Sequence, residues 1–515
     1  MLVKTFCAEV MGLEATTITI EVNMTRGVMF HLSGLADTAV KESYDRIRAA
    51  ISNIGFKPPT ADLTINLSPA DIRKEGSGYD LPLAIGILAA HGKIDDTMLG
   101  DYIMVGELGL DGKLKPVSGI LSVAIRALKD HFKGLIVPQE NAKEAAVVHG
   151  LRVYGLDNLA DVISLLNGHK EFEPTVVDTQ KEFYKQQSSY DLDFADVKGQ
   201  ESVKRALEIA AAGGHNMIMI GPPGSGKSMM AKRLPSILPP LSLSESLETT
   251  QIHSVAGKLP SDVSLISQRP FRSPHHTVSQ VAMTGGGNRA LPGEVSMAHN
   301  GVLFLDELPE FSKSTLEVLR QPLEDRKITI SRAKYTVEYP CSLMFVASMN
   351  PCPCGYYGDP THQCVCTPGQ IQRYLNKISG PLLDRIDIQC EVTVVPFKDL
   401  SQLQPGEPSS VIRERVIKAR QIQEARYKDY PGVHCNAQMS ERMISQFAQP
   451  DTASLDMLRM AMERMKLSAR AYSRILKVSR TIADLEGSDQ IQLQHIAEAI
   501  GYRNLDRGDW AERGI

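Results

Sequence analysis

Nowhere in its 515 residues does the chain hold an apolar run approaching the roughly 20 residues that a membrane-spanning helix needs. The first residues, MLVKTFCAEVMGLEA, likewise lack the apolar core of a secretory signal. Membrane insertion and export are therefore not expected, and the cytoplasm is the expected compartment. Net charge is nearly absent too, at -4, which argues neither for nor against a nucleic-acid partner, because a basic channel can sit inside a nearly neutral whole. Any such contact has to be argued locally. Cysteine is scarce at eight residues, yet four of them fall between Cys352 and Cys366. In a reducing compartment that clustering points to a metal and away from disulfides. The length suggests about three domains, each large enough to bury a core.

What the chain does have is GPPGSGKS, Gly221 to Ser228. It fits G-x-x-x-x-G-K-S/T and follows the apolar run Met217-Ile218-Met219-Ile220, the context that a phosphate cradle requires. Through Gly221, Pro222, Pro223, Gly224, Ser225 and Gly226 the backbone turns tightly and aims its N–H groups at phosphate oxygens, and the following helix adds the positive end of its dipole. Lys227 is expected to reach the β- and γ-phosphates of ATP, and Ser228 to hold Mg2+. Downstream, GVLFLDE (301–307) reads as a buried parallel strand. It ends in Asp306, placed for the Mg2+ water shell, and Glu307, placed to polarise an attacking water.

A third apolar strand, LMFVASMN, ends at Asn350, which would face the γ-phosphate because ligands sit beyond the carboxyl ends of strands in such sheets. A strand-terminal Asn capping the next turn is the plain alternative. In PLLDRID (381–387), Arg385 suits a finger inserted into a neighbouring subunit's site, with an ordinary salt bridge as the alternative. A finger of this kind makes activity depend on a ring.

The expected fold is α/β in three parts. Residues 1–168 form an α/β domain, with strands at 16–22, 28–32, 63–67, 135–137 and 151–154 and a helix at 41–52. Residues 169–192 are polar and without periodicity and read as an exposed linker. Residues 193–400 form the P-loop core with a parallel sheet, enlarged by an insertion at 269–301 and a hairpin at 327–340. Residues 401–515 carry helical periodicity at 409–427, 441–447, 452–465, 469–485 and 493–502 and form a lid, with the methionines of 457–465 expected in its core. In LSARAYSRIL, Arg470 and Arg474 share a helix face. Arg470 is the candidate for meeting the γ-phosphate, and Arg474 for a structural partner.

Two further groups of residues carry chemistry. Cys352, Cys354, Cys364 and Cys366 form two C-x-C pairs that can complete tetrahedral Zn2+ coordination, with His362 able to replace one thiolate. The hairpin carries a basic tip. Facing the pore of a ring, Arg332, Lys334 and, from the insertion, Arg289 would offer cations to a nucleic-acid backbone. Ordinary solvated loops are the alternative.

Several of these stretches resemble known families. RKEGSGYDLPLAIGILAA and VGELGLDGKLKPVSGILSVAIRALK resemble the proteolytic domain of Lon-type proteases. The dyad is missing: Tyr79-Asp80 stand where the nucleophilic serine would be, and Ile120-Leu121-Ser122 where the lysine would be. Ser77 has no base to activate it, so a ring-organising role is expected in place of peptidase activity. The segment 194–200 resembles the adenine-covering segment of AAA+ ATPases. Taken with RPFRSPHH, GEVSMAHNGVLFLDE, NPCPCG, SGPLLDRID and LSARAYSRILKVSRTIADL, the chain resembles the ComM/YifB family of magnesium-chelatase-like AAA+ proteins. That resemblance implies a hexameric ATPase and a DNA branch-migration motor serving natural transformation. A chaperone-like remodeller of a protein or metal-chelatase partner is the alternative, and an active peptidase a third.

Overall fold

The computed structural model describes residues 1–187, 190–332, 336–359, 362–394, 405–465 and 467–503. The first sheet has seven strands in the order Phe30–Ser33, Asp62–Ser68, Glu14–Thr25, Leu2–Met11, Tyr102–Met104, Gly134–Pro138, Arg152–Leu156; burial alternates along Asp62–Ser68, whereas Tyr102–Met104 and Gly134–Pro138 are buried throughout. The strand Leu2–Met11, absent from the expected set, pairs antiparallel with Glu14–Thr25 across a turn in which Gly12 takes φ +63°. Its inward residues Val3, Thr5 and Cys7 include a hydroxyl that donates to Pro82 O, so the apolar signal of that face is diluted. The helix Asp80–Ala90 has every residue buried, as expected of a segment apolar all round.

Residues 169–192, expected as an exposed linker, are exposed at many positions, Val176 and Tyr184 among them, yet are not without structure. They contain the helix Thr179–Gln186, whose Phe183 packs with Val147, Leu241 and Leu265. One buried aromatic in a polar stretch holds the connection down without producing a helical period.

The second sheet is parallel throughout: Phe271–Arg272, Val302–Leu305, Met344–Met349, Met217–Ile220, Ile388–Glu391. Its central strands are buried on both faces, so they read as unbroken apolar runs. Register fixes what leaves each edge. Ile220 pairs with Met349 and Leu305 with Ala347, so Gly221, Asp306 and Asn350 emerge together at the carboxyl edge. Met217 pairs with Ile388, which puts Arg385 to Asp387 at the amino edge.

The insertion holds the helices Gln280–Thr284 and Glu294–Met297 around a two-residue-stranded hairpin. Lys327–Ser331 pairs with Thr336–Pro340, and Arg332 flanks its tip, while Lys334 lies outside the described residues. So does the expected boundary at 400.

Among the described residues, the helices Ser409–Arg426, Glu441–Phe447, Thr452–Met465, Ala469–Leu485 and Leu493–Gly501 form the lid. Of its methionine run, Met457 and Met462 pack on the core while Met460 is exposed. Among the described residues no helix is long and apolar enough to cross a membrane.

Candidate nucleotide site and cysteine cluster

The P-loop is shaped by glycine at the two positions where it is required: Gly224 and Gly226 take φ +75° and +89°. From the following helix, Lys227 Nζ donates to Gly221 O at 2.7 Å, to Pro222 O at 2.9 Å and to Asn350 Oδ1 at 3.3 Å. Burial lowers the Lys227 pKa, an effect that Asp306 and Glu307 oppose. Ser228 Oγ donates to Asp306 Oδ2 at 2.5 Å, and Ser348 Oγ donates to the other oxygen of Asp306. A hydroxyl and a carboxylate this close are the hard oxygen donors that suit Mg2+, so Ser228 and Asp306 fit the ion expected of them.

Glu307 turns out of the strand in the left-handed region, φ +54°, with its side chain 58 % exposed. His276 Nδ1 stands 3.9 Å from its carboxylate. Ser348 and His276 were not assigned roles on sequence. Ser348 could have been found from its place two residues before Asn350, on the same strand face.

Arg385, Arg470 and Arg474 come together elsewhere, around a cavity of about 330 Å³ whose lining includes no residue of 221–228. Arg385 is not a free loop arginine. It is ion-paired with Glu324, donates to Pro381 O at 2.7 Å and is only 16 % exposed. Arg470 pairs with Asp384 at 2.9 Å and is 67 % exposed. Arg474 donates to the buried Asp387 at 2.5 Å. Burial would raise Asp387, but Arg474 and His215 hold it well below the usual carboxylate range.

Arg470, expected to meet a γ-phosphate, thus stands apart from the P-loop of its own chain. The lid docks at the amino edge of the sheet, where His215 Nε2 and Thr481 Oγ1 are 2.7 Å apart. The phosphate cradle lies at the carboxyl edge, a strand length of about 13 Å away.

The four cysteines converge. Cys352 Sγ lies 3.3 Å from Cys354 Sγ and 3.7 Å from Cys364 Sγ, Cys354 and Cys364 are 3.6 Å apart, and all four sulfurs lie within 4.8 Å of one another. A tetrahedral site with metal–sulfur bonds of about 2.3 Å has edges of about 3.8 Å, so this donor set fits Zn2+. Burial would raise the Cys354 thiol, but backbone N–H groups of Tyr356 and Val365 pull it below the ordinary range. His362 does not belong to the set: its ring stacks on Tyr356, with centroids 4.7 Å apart.

Arg289 and Arg332 also come together, lining a cavity of about 680 Å³ with Arg73, Glu9, Asp71 and Glu75 of the first domain. The cations proposed for a nucleic-acid backbone thus face carboxylates of their own chain, which the sequence order hides. Arg289 donates to Glu75 O at 3.5 Å.

Beside it, Ser77 donates to Glu107, and Lys115 reaches Glu107 at 3.7 Å. Asp80 is held by two 2.9 Å bonds from Arg46, and Ser122 donates to Leu13 O at 2.8 Å. Among the described residues, Ser77 and Ser122 thus bond to Glu107 and Leu13 O. Burial pushes Glu9 up to about 7, even though Tyr79 donates to it at 2.5 Å. The folded chain therefore holds a proton that the unfolded chain releases, and the stability tied to it is complete below pH about 4.5 and lost as pH rises through 7. Glu9→Gln is expected to stabilise the protein at pH 8, by up to about 3 kcal/mol, and to change little at pH 4, as read by denaturant unfolding at both pH values.

A parallel sheet with a P-loop, an Asp-Glu pair and an Asn at one edge and a helical lid at the other defines a P-loop ATPase of the AAA+ class. Within that class, the chain belongs to the ComM/YifB family of magnesium-chelatase-like proteins. Residues 193–400 match the family model described as magnesium chelatase, subunit ChlI, residues 20–141 match subunit ChlI of Mg-chelatase, and 406–503 match its C-terminal model. The chain is 44 % identical to Competence protein ComM of Haemophilus influenzae over 96 % of both chains. It is 43 % identical to the uncharacterized protein YifB of Escherichia coli, again over 96 % of both. Likeness to Lon protease 2 of Bacillus subtilis is partial: 31 % identity over 147 residues, 28 % of this chain and 26 % of that one.

Proposed function

We propose that the protein is a cytoplasmic homo-hexameric ring motor that hydrolyses ATP and works on single-stranded or branched DNA, in branch migration during recombination or natural transformation. The observation that carries this reading is the division of the hydrolytic groups between opposite edges of one sheet, Lys227, Asp306, Glu307 and Asn350 at one and Arg385 and Arg470 at the other. A second copy supplies what one copy cannot. The likeness to a competence protein supports the setting.

In this reading the loop N–H groups and Lys227 hold the phosphates, and Glu307 orients and polarises the attacking water. Asn350 fixes the water's position. Arg385 and Arg470 of the neighbouring copy stabilise charge on the transferring group. Mg2+ on Ser228 and Asp306 would neutralise phosphate charge, and Zn2+ on the four thiolates would be structural. His276 joins Glu307 to the insertion that carries Arg289, so that hydrolysis and movement of the insertion and hairpin are linked.

A protein-remodelling role is the second reading. It is favoured by the carboxylates of Glu9, Asp71 and Glu75 opposite Arg289 and Arg332, which suit a mixed-charge partner better than a polyanion.

ATP turnover measured with and without single-stranded and branched DNA decides between them. Stimulation by DNA is expected. Arg332→Ala and Lys334→Ala should each weaken DNA binding, lower the salt slope by about 1 and leave nucleotide binding intact. Turnover indifferent to every DNA structure would overturn the motor.

A further inference from the structure

We infer that the four-cysteine metal centre is a brace for the nucleotide pocket, and that Zn2+ occupancy there sets the rate of ATP hydrolysis. This rests on the ATPase reading of the P-loop.

Residues 351–367, where described, form neither helix nor strand. The backbone–backbone bonds within its described residues are short-range, among them Gly355 N to Cys352 O at 3.0 Å and Asp359 N to Tyr356 O at 3.1 Å. A segment so poor in regular structure needs a cross-link to hold one shape. The four sulfurs supply it, two from each end.

What that cross-link holds is the site itself. Pro351 alone separates Cys352, which is fully buried, from Asn350, whose Oδ1 accepts from Lys227 at 3.3 Å. On the far side of Cys366, the helix Pro368–Leu375 carries Tyr374, which hydrogen-bonds the Asn350 backbone. Between the two cysteine pairs, Gly355 takes φ +89°, and its α-carbon faces the P-loop so closely that an added Cβ would lie 2.6 Å from Pro223 Cδ and 2.8 Å from Cγ. The loop thus touches the cradle at Pro223 and fixes Asn350 through the chain on both sides.

Asn350 acts on the attacking water and the terminal phosphate, whereas the loop N–H groups and Lys227 supply most of the ground-state binding. Slack in the brace should therefore fall on turnover more than on affinity, because rate falls steeply, up to about a hundredfold for a displacement of about 1 Å, when a positioning group shifts, and a fraction of that shift costs about tenfold. Four thiolates in tetrahedral array select a borderline-soft divalent ion over Mg2+ or Ca2+.

The test uses the full chain. Elemental analysis is expected to give one zinc per chain, and Co2+ replacement the intense visible absorption of a tetrahedral cobalt thiolate, lost in Cys364→Ser. Removal of zinc by a zinc-selective chelator in excess Mg2+ should lower turnover at saturating ATP about tenfold, with a fluorescent ATP analogue still bound and the rate restored by Zn2+. Gly355→Ala separates brace from metal: it should keep the cobalt spectrum yet lose turnover, because its methyl group displaces Pro223. A zinc-free folded chain working at the full rate, or a zinc-loaded Gly355→Ala doing so, overturns the inference. Absence of turnover in the zinc-loaded chain under all conditions would instead sink the ATPase reading, leaving the metal centre to be judged on the cobalt spectrum alone.

Discussion

Glu307→Gln is expected to lower ATP turnover by about a thousandfold while ATP still binds. The side chain leaves a buried strand through a left-handed backbone and stands more than half exposed, 3.9 Å from His276 Nδ1. Glutamine keeps the length and shape of the arm and removes the charge that polarises water. Lys227, Ser228 and Asp306, which bind phosphate and Mg2+ in this account, are untouched. Single-turnover hydrolysis and titration with a fluorescent ATP analogue separate the two quantities. A variant that binds ATP normally and hydrolyses it at the parent rate would remove Glu307 from the mechanism. His276→Ala offers a milder companion, since it leaves the carboxylate in place and removes only the ring 3.9 Å away.

These residues were legible because the motifs of a parallel sheet are local. The strand that buries both faces is a run of four apolar residues, and the group that matters follows it directly, as Asp306 follows Leu305. Spacing alone likewise brought the four cysteines into one set, although it could not show that His362 turns away to stack on Tyr356.

What could not be read was anything decided across long separations. The first strand was missed because its inward face mixes Val3 and Cys7 with a hydroxyl whose partner is Pro82 O, 77 residues on. Phe183 gave no sign that the segment around it is docked, because its partners Val147 and Leu265 come from either side of it in sequence. Arg289 looked like a cation free for a polyanion, and only the fold sets Glu75 and Glu9 before it. The sequence marks Arg470 for a γ-phosphate without showing which copy's phosphate that is. The packing of His215 and Asp387 against Thr481 and Arg474 places it at the other edge of the sheet.

That last placement yields a prediction about partnership. Arg385→Ala is expected to reduce turnover about a thousandfold, the range in which arginine fingers act, with ATP binding retained. Lys227→Ala should abolish turnover by weakening the phosphate cradle. The two lesions lie on opposite edges of the sheet, so if a site is formed by the carboxyl edge of one copy and the amino edge of the next, mixed rings contain some junctions in which both edges are intact. Mixing the two inactive variants should then restore part of the parent turnover, growing with concentration as rings assemble.

Arg385 must leave Glu324 to reach a neighbour's phosphate, and the exposed side of that ion pair makes the exchange inexpensive, since Glu324 keeps most of its surface in water. Glu324→Gln should therefore leave the complementation intact, whereas a structural role for the pair predicts that Glu324→Gln destabilises the fold as Arg385→Ala does. No recovery in the mixture, with both variants folded and associating, would place the whole reaction within one copy and leave Arg385 a structural residue.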